Sequence, residues 1–231
     1  PMNILPRGKR LTIAYKLTLL DIALIRSNGP DEIMTRRIGD ADRFIIPASK
    51  VRHAMREFVE RVQRDLGLAG NCRAQHYCSA CPACMLFGTL GSTGENSKSW
   101  SCGSEVDMAE AIALTPGTEA EMRTINSVDP ISNTTGRSGL TKMFFVPAGT
   151  EFYGQIVVKD LDPDAVTILT GALLGVTRIG ARSSVHGLCQ VEILGTRESF
   201  SEDPSWSPQV VAATGKLPTG KPPVLTSMHS E

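Results

Sequence analysis

The chain has 231 residues, 41% hydrophobic and 21% charged, which suits a globular protein with a buried core in one large domain or two small ones. No apolar run reaches the ~18 residues that span a bilayer, and PMNILPRGKR has no signal-peptide core, so a cytoplasmic protein with no membrane partner is expected. The formal net charge of zero argues against a generally basic nucleic-acid binder, yet residues 1–64 carry 13 Lys/Arg against 7 Asp/Glu and residues 65–231 carry 11 against 17, so a polyanion can be met locally.

RLTIAYKLTLLDIALI (Arg10–Ile25) is β-branched and apolar and predicts a long strand, broken by Asn28-Gly29-Pro30. MTRRIGDADR (34–43) reads as a charged loop and FIIP (44–47) as a short strand. Ser49 is the predicted N-cap of a helix whose apolar face is Val51, Met55, Phe58, Val62 and Leu66, with Lys50, Arg52, Arg56, Arg61 and Arg64 opposite. Gly67 and Gly70 end it. After a cysteine-rich segment, GTLGSTGENSKSWSCGS (88–104) has a flexible composition. EVDMAEAIAL fits strand or helix. SVDPISNTTGRSG predicts a long exposed loop, and MFFVPAGTEFYGQIVV two strands paired as a hairpin about Pro-Ala-Gly. DPDAVTILTGALLGVTRIG predicts a second helix and HGLCQVEILGT a closing strand. The tail from Ser201 is Pro/Ser/Gly-rich and is expected to be poorly ordered.

Strand, helix, insert, hairpin, helix, strand is the βαββαβ order of an α+β, ferredoxin-like (RRM-like) fold: an antiparallel sheet with helices on one face and the other face free to bind. The expected organisation is a discontinuous core of residues 1–66 and 104–200, an insert over 67–103, a thumb-like loop over 123–145 within the core, and a tail over 201–231.

The insert holds NCRAQHYCSACPAC. Cys78, Cys81 and Cys84 stand at C-x-x-C-x-x-C spacing, with Cys72 and His76 upstream. Zinc takes four N/S ligands in a tetrahedron, and a closed set makes a structural site. His76, Cys78, Cys81 and Cys84 are the chosen set, with Cys72 as the alternative to His76. An iron–sulfur cluster using Cys72 or Cys189 as its fourth thiolate, or simply packed thiols, are the other readings. Disulfides do not suit a reducing compartment. No Walker loop, dinucleotide fingerprint or Ser–His–Asp set is present.

Four further motifs follow in order: IPASKVR (Ile46–Arg52), LFG (Leu86–Gly88) after the cysteines, VPAGTEF (Val146–Phe152) and IGARSSVHG (Ile179–Gly187). This set resembles the repeat-associated (RAMP) superfamily of CRISPR proteins over most of Leu11–Leu194. It is most similar to the backbone subunit of type I-D interference complexes, with the type III backbone subunit as runner-up. The resemblance implies an RRM-like palm, a thumb-like hairpin, and copies stacked in a helical filament along a guide RNA (crRNA). It also implies partnership with a target DNA or RNA strand and with other CRISPR subunits. The family's glycine-rich loop is reduced here to Gly180 and Gly187, and Ala48 stands where the helix motif usually has glycine.

Lys50, Arg52, His53 and Arg56 on the first turns of the helix suit RNA phosphates, and Arg36, Arg37 and Arg43 extend that basic surface. Arg182, Ser183, Ser184 and His186 offer contacts to phosphate or the 2′-OH. Thr134, Thr135, Arg137 and Ser138, with Met143 and Phe144 behind them, form the expected thumb. The type III relatives cleave target RNA with an aspartate before the helix. That resemblance makes Asp40, then Asp31, the candidate of an alternative, metal-dependent ribonuclease reading; Asp42 stands in the same segment.

Overall fold

The computed structural model describes residues 10–26, 33–68, 81–92, 99–102, 104, 106–116, 119–128, 135–159, 163–181 and 183–222. In chain order the elements are β1 (Arg10–Leu19), β2 (Thr35–Ile38), β3 (Ala41–Ile46), α1 (Ala48–Asp65), α2 (Pro82–Phe87), β4 (Thr89–Ser92), β5 (Ser99–Cys102), β6 (Val106–Met108), β7 (Ala111–Ala113), β8 (Glu121–Val128), β9 (Thr135–Phe145), β10 (Glu151–Lys159), α3 (Pro163–Leu174), β11 (Cys189–Ser199) and α4 (Pro208–Thr214). Among the described residues no helix is long and apolar enough to cross a membrane.

The main sheet runs β11-β1-β10-β7-β3-β2, with β6 also on β10, and its paired neighbours are antiparallel. With α1 and α3 as crossovers, β11-β1-β10-β7 is the spatial order of a βαββαβ fold, and β3 and β2 extend it at one edge. Strand alternation decides what each face buries. Ile13, Tyr15, Leu17 and Leu19 of β1 join Phe152, Ile156 and Val158 of β10 and, from α1, Val51, Met55 and Val59. Burying each such side chain contributes about 1.5–3 kcal/mol. Ala14 and Tyr153 point the other way, onto Trp206 and Val211.

That second contact corrects two expectations. Residues 204–206 form a 3₁₀ turn capped by the Asp203 carboxylate, and α4 follows it onto the second face of the sheet. The Tyr153 hydroxyl donates to the Trp206 carbonyl at 2.8 Å. Helices therefore lie on both faces, and residues 201–222 are not a poorly ordered tail; 223–231 lie outside the described residues. Trp206, Val211 and Ala212 carry enough apolar surface to outweigh the Pro/Ser/Gly composition around them.

Other elements differ locally. The charged loop is the β2–β3 hairpin, closed by the two-residue turn Gly39-Asp40. The long first strand stops at Leu19, where the Asp21 carboxylate accepts from the Ile22 N–H at 2.7 Å, and Ala23, Leu24 and Arg26 make isolated bridges beyond. β9 and β10 are joined at Pro-Ala-Gly but do not pair. β9 pairs with β8 as a separate two-stranded sheet where a loop was expected, and residues 129–134 lie outside the described residues. EVDMAEAIAL resolves as the two short strands β6 and β7. On α1 the buried face is Val51, Met55, Val59 and Gln63, while Val62 is 38% and Leu66 66% exposed.

Candidate nucleic-acid interface

Helix α1 begins two residues earlier than expected: Pro47, not Ser49, is its N-cap and supplies no side-chain cap. No acidic residue stands in the first turn, where Lys50 sits instead. A helix N-terminus carries free N–H groups and positive potential, and a lysine there is locally unfavourable unless an anion answers it. Lys50, His53 and Glu57 follow at helical spacing along the same side.

Opposite them lies the segment between α3 and β11. Gly180 (φ 99°) and Gly187 (φ 78°) adopt conformations that favour glycine, and a Cβ on Gly187 would sit 2.0 Å from the Ile179 carbonyl oxygen. Ala181 N–H donates to the Leu24 carbonyl and Gly187 N–H to the Ile22 carbonyl, each at 2.8 Å, pinning the loop to the end of the first buried segment. The two surviving glycines thus serve backbone against backbone. The Arg178 guanidinium donates to the Ser183 carbonyl at 3.0 Å and to that of His186 at 3.5 Å. His186 Nδ1 lies 3.7 Å from the Asp21 carboxylate, and its ring meets Phe145 edge-on at 5.2 Å between centroids.

Between helix and loop opens a cleft of about 250 Å³, lined by Lys50, His53 and Glu57 from one side and Arg178, Gly180 and Ser183 from the other. Two candidate groups 130 residues apart in sequence, the helix start and the depleted glycine loop, therefore share one concavity. Arg178 was missed by sequence reasoning; its cationic side chain two residues before Gly180 was the available signal.

Five of the remaining basic candidates are engaged elsewhere. Arg43 is 8% exposed, and its guanidinium donates to the carbonyls of Ala113, at 3.1 Å, and Leu114. Arg52 donates to the Val106 carbonyl at 2.8 Å; Arg56 donates to Gly88 at 2.8 Å and to Glu60 at 2.7 Å. These arginines satisfy carbonyls at the ends of short elements, where the backbone runs out of partners. Arg36 pairs with Glu110 at 2.5 Å and Arg37 with Asp42 at 3.6 Å on the edge strand. Ser184 is exposed in the loop, Arg137 lies in β9, and Arg182 is outside the described residues. Asp40 is exposed in the β2–β3 turn, and β3 carries the chain away from it to the start of α1. Six strand residues at ~3.3 Å each put it roughly 20 Å along β3 from the start of α1. Asp31 lies outside the described residues.

Of the expected metal ligands, Cys81 and Cys84 are described. Both are buried, Cys81 as the N-cap of α2 and Cys84 one turn further on, so the two thiols share one side of that turn. Cys72, His76 and Cys78 lie outside the described residues, and among the described residues no group of three or more His, Cys, Asp and Glu could hold a metal ion. Cys189 packs in the core with its thiol pushed up to about 12 by burial.

A family model for Csc2 CRISPR proteins matches residues 5–206. The chain belongs to the Csc2 CRISPR family. Its fold is similar to the crystal structure of Thermofilum pendens Csc2, with a TM-score of 0.66 and 19% identity over 90% of this chain and 72% of that one. It is also similar to a chain of a type IV-B CRISPR complex, with a TM-score of 0.56 and 12% identity over 80% of this chain and 90% of that one. A chain of a CRISPR RNA-guided surveillance complex gives 0.52 and 20% identity over 79% and 68% respectively. At these identities the likeness is one of fold. No curated protein matches the chain.

Proposed function

We propose that this member of the Csc2 family is a crRNA-binding backbone subunit of a CRISPR ribonucleoprotein, and that it holds RNA by the sugar-phosphate in the cleft between α1 and the 178–187 loop. One observation carries the site: Lys50 and His53 line the cleft and enter no ion pair among the described residues, whereas Arg36, Arg37, Arg43, Arg52 and Arg56 each have a protein partner. Cations left for an anion at an uncapped helix start suit phosphate, and contacts of that kind are indifferent to base sequence. Stacking of copies along the guide, presentation of the guide to a target strand, a type I-D assembly and a cytoplasmic location are the finer form of this reading, supported by the resemblance. The position of Asp40 far from the cleft sets the ribonuclease reading second.

The same reading includes zinc. Cys81 and Cys84, with Cys78 and either His76 or Cys72, would hold it, and the ion would fix a segment too short to fold by burial alone. Two buried thiols on one turn of α2 support it.

The test is purification without nuclease, followed by extraction of bound nucleic acid and titration with single-stranded RNA. The wild-type chain is expected to carry RNA. Lys50→Ala, His53→Ala and Arg178→Ala each weaken binding, and each lost phosphate contact flattens the slope of log affinity against log salt by roughly 0.7. RNA binding unchanged in all three variants would move the site elsewhere; no RNA binding at low salt would end the reading.

A further inference from the structure

Among the described residues lining the cleft, Glu57 is the one carboxylate. It is exposed on α1 and enters no ion pair among the described residues, although the cations around it have other partners. Arg56 goes to Glu60 at 2.7 Å. Arg61, four residues on and so the cation placed to answer Glu57 along the helix, has its guanidinium 5.7 Å from the centroid of the Phe58 ring. Arg178, across the cleft, donates to the Ser183 and His186 carbonyls. Glu57 therefore presents an unanswered negative charge to the same concavity as Lys50 and His53.

Such a charge is out of place in a site for phosphate alone. Like charges repel, so a carboxylate weakens a grip on phosphate unless the same ligand also brings it a proton donor. An ionised carboxylate can only accept. Along a sugar-phosphate chain the phosphate and ring oxygens are acceptors too, and the ribose 2′-OH is the sole donor. Base N–H groups vary with sequence and do not suit a grip on the backbone. Resting on the RNA reading of the cleft, we infer that Glu57 accepts a hydrogen bond from a ribose 2′-OH and makes the site select RNA over DNA. Lys50 stands two helical turns, about 10 Å, before Glu57, with His53 between them. A strand laid along this side of α1 meets cations for its phosphate first and an acceptor for its sugar next. The bond to Glu57 is charge-assisted and stronger than one between neutral groups. Deoxyribose offers the carboxylate nothing and leaves it facing phosphate, so DNA loses the bond and keeps the repulsion.

The experiment uses the full chain and fluorescence anisotropy at fixed salt. The probes are oligouridylate, oligodeoxyuridylate and 2′-O-methyl oligouridylate of one length, which share their bases and differ at the 2′ position. The wild type is expected to bind oligouridylate roughly 10–100-fold tighter than either of the others, the range that a hydrogen bond to a charged group supplies. Glu57→Ala weakens oligouridylate, strengthens oligodeoxyuridylate and brings the two within roughly threefold. Glu57→Gln keeps an uncharged acceptor and falls between. Position 57 is an exposed helix site, where alanine suits the backbone; if Glu57→Ala nonetheless loses its far-UV helix signal, Glu57→Gln carries the comparison. A folded variant that strengthens RNA and DNA binding alike, with their ratio unchanged, overturns the role of Glu57 alone, and so does a wild type that binds the three probes equally. Oligouridylate binding that Lys50→Ala, His53→Ala and Arg178→Ala all leave unchanged, or no binding at low salt, overturns the cleft reading and the role of Glu57 with it.

Discussion

At the scale of single residues, arginines of the same charge divide by what surrounds them. Arg43 sits on a strand whose neighbour, β7, ends at Ala113, and the carbonyls of Ala113 and Leu114 turn to it for donors. Its positive charge is part of the scaffold. Arg43→Met keeps most of the side-chain volume and leaves those carbonyls unmet, so unfolding free energy measured in urea falls by about 1–3 kcal/mol while RNA affinity stays within twofold of wild type. Lys50→Ala has the opposite profile, because Lys50 enters no ion pair among the described residues. The sequence displayed both as basic residues near one helix and carried no sign of which carbonyls would need them. Likewise, it showed Gly180 and Gly187 as survivors of a loop, but what a side chain would strike there is a carbonyl, that of the remote Leu24 at Gly180 and that of Ile179 across the loop at Gly187.

At the scale of elements, periodicity located most strands and both long helices, because the apolar repeats are strong. It failed where short elements depend on partners. TRRI has few apolar residues and becomes a strand because β3 offers it a ladder across Gly39-Asp40. A two-residue turn with glycine was the legible signal. The 204–214 segment is the larger case. Its few apolar residues are invisible in composition, yet Trp206 is 4% exposed against Ala14, Tyr153 and Val211. Trp206→Ala is expected to cost about 3–5 kcal/mol and to open residues 201–222 to limited proteolysis. The cleft proposed for RNA lies by α1, on the face α4 does not touch, so its affinity should hold. Equal loss of RNA binding and stability would mean the two faces are coupled.

At the scale of the whole molecule, the core sets the response to alkali. Burial raises the thiol of Cys189 from 9.0 to about 12, and raises the phenols of Tyr15 and Tyr153 further still. Their folded-state pKa values are raised, so below pH 9 the groups are protonated in both states and cost nothing. Above it the unfolded chain loses protons that the folded chain keeps. Stability therefore falls as pH rises from about 9, by at most about 1.4 kcal/mol per pH unit for each group. In urea titrations between pH 8 and pH 11 the wild type should weaken from about pH 9, and Cys189→Val only from about pH 10, where the tyrosines take over. A flat profile would show that these groups are not buried as described.

The sequence by itself determined the βαββαβ order, the family, the cysteine spacing and the two short motifs whose residues meet at the cleft, because local spacing and chain order are one-dimensional quantities. Only the tertiary structure decided which cations are free for an anion, that α4 closes the second face, and that Gln63 rather than Val62 completes the buried stripe of α1. Each of those depends on which backbone carbonyls, N–H groups and apolar surfaces arrive from distant parts of the chain, and a buried polar atom takes its role from whatever partner stands within hydrogen-bond reach.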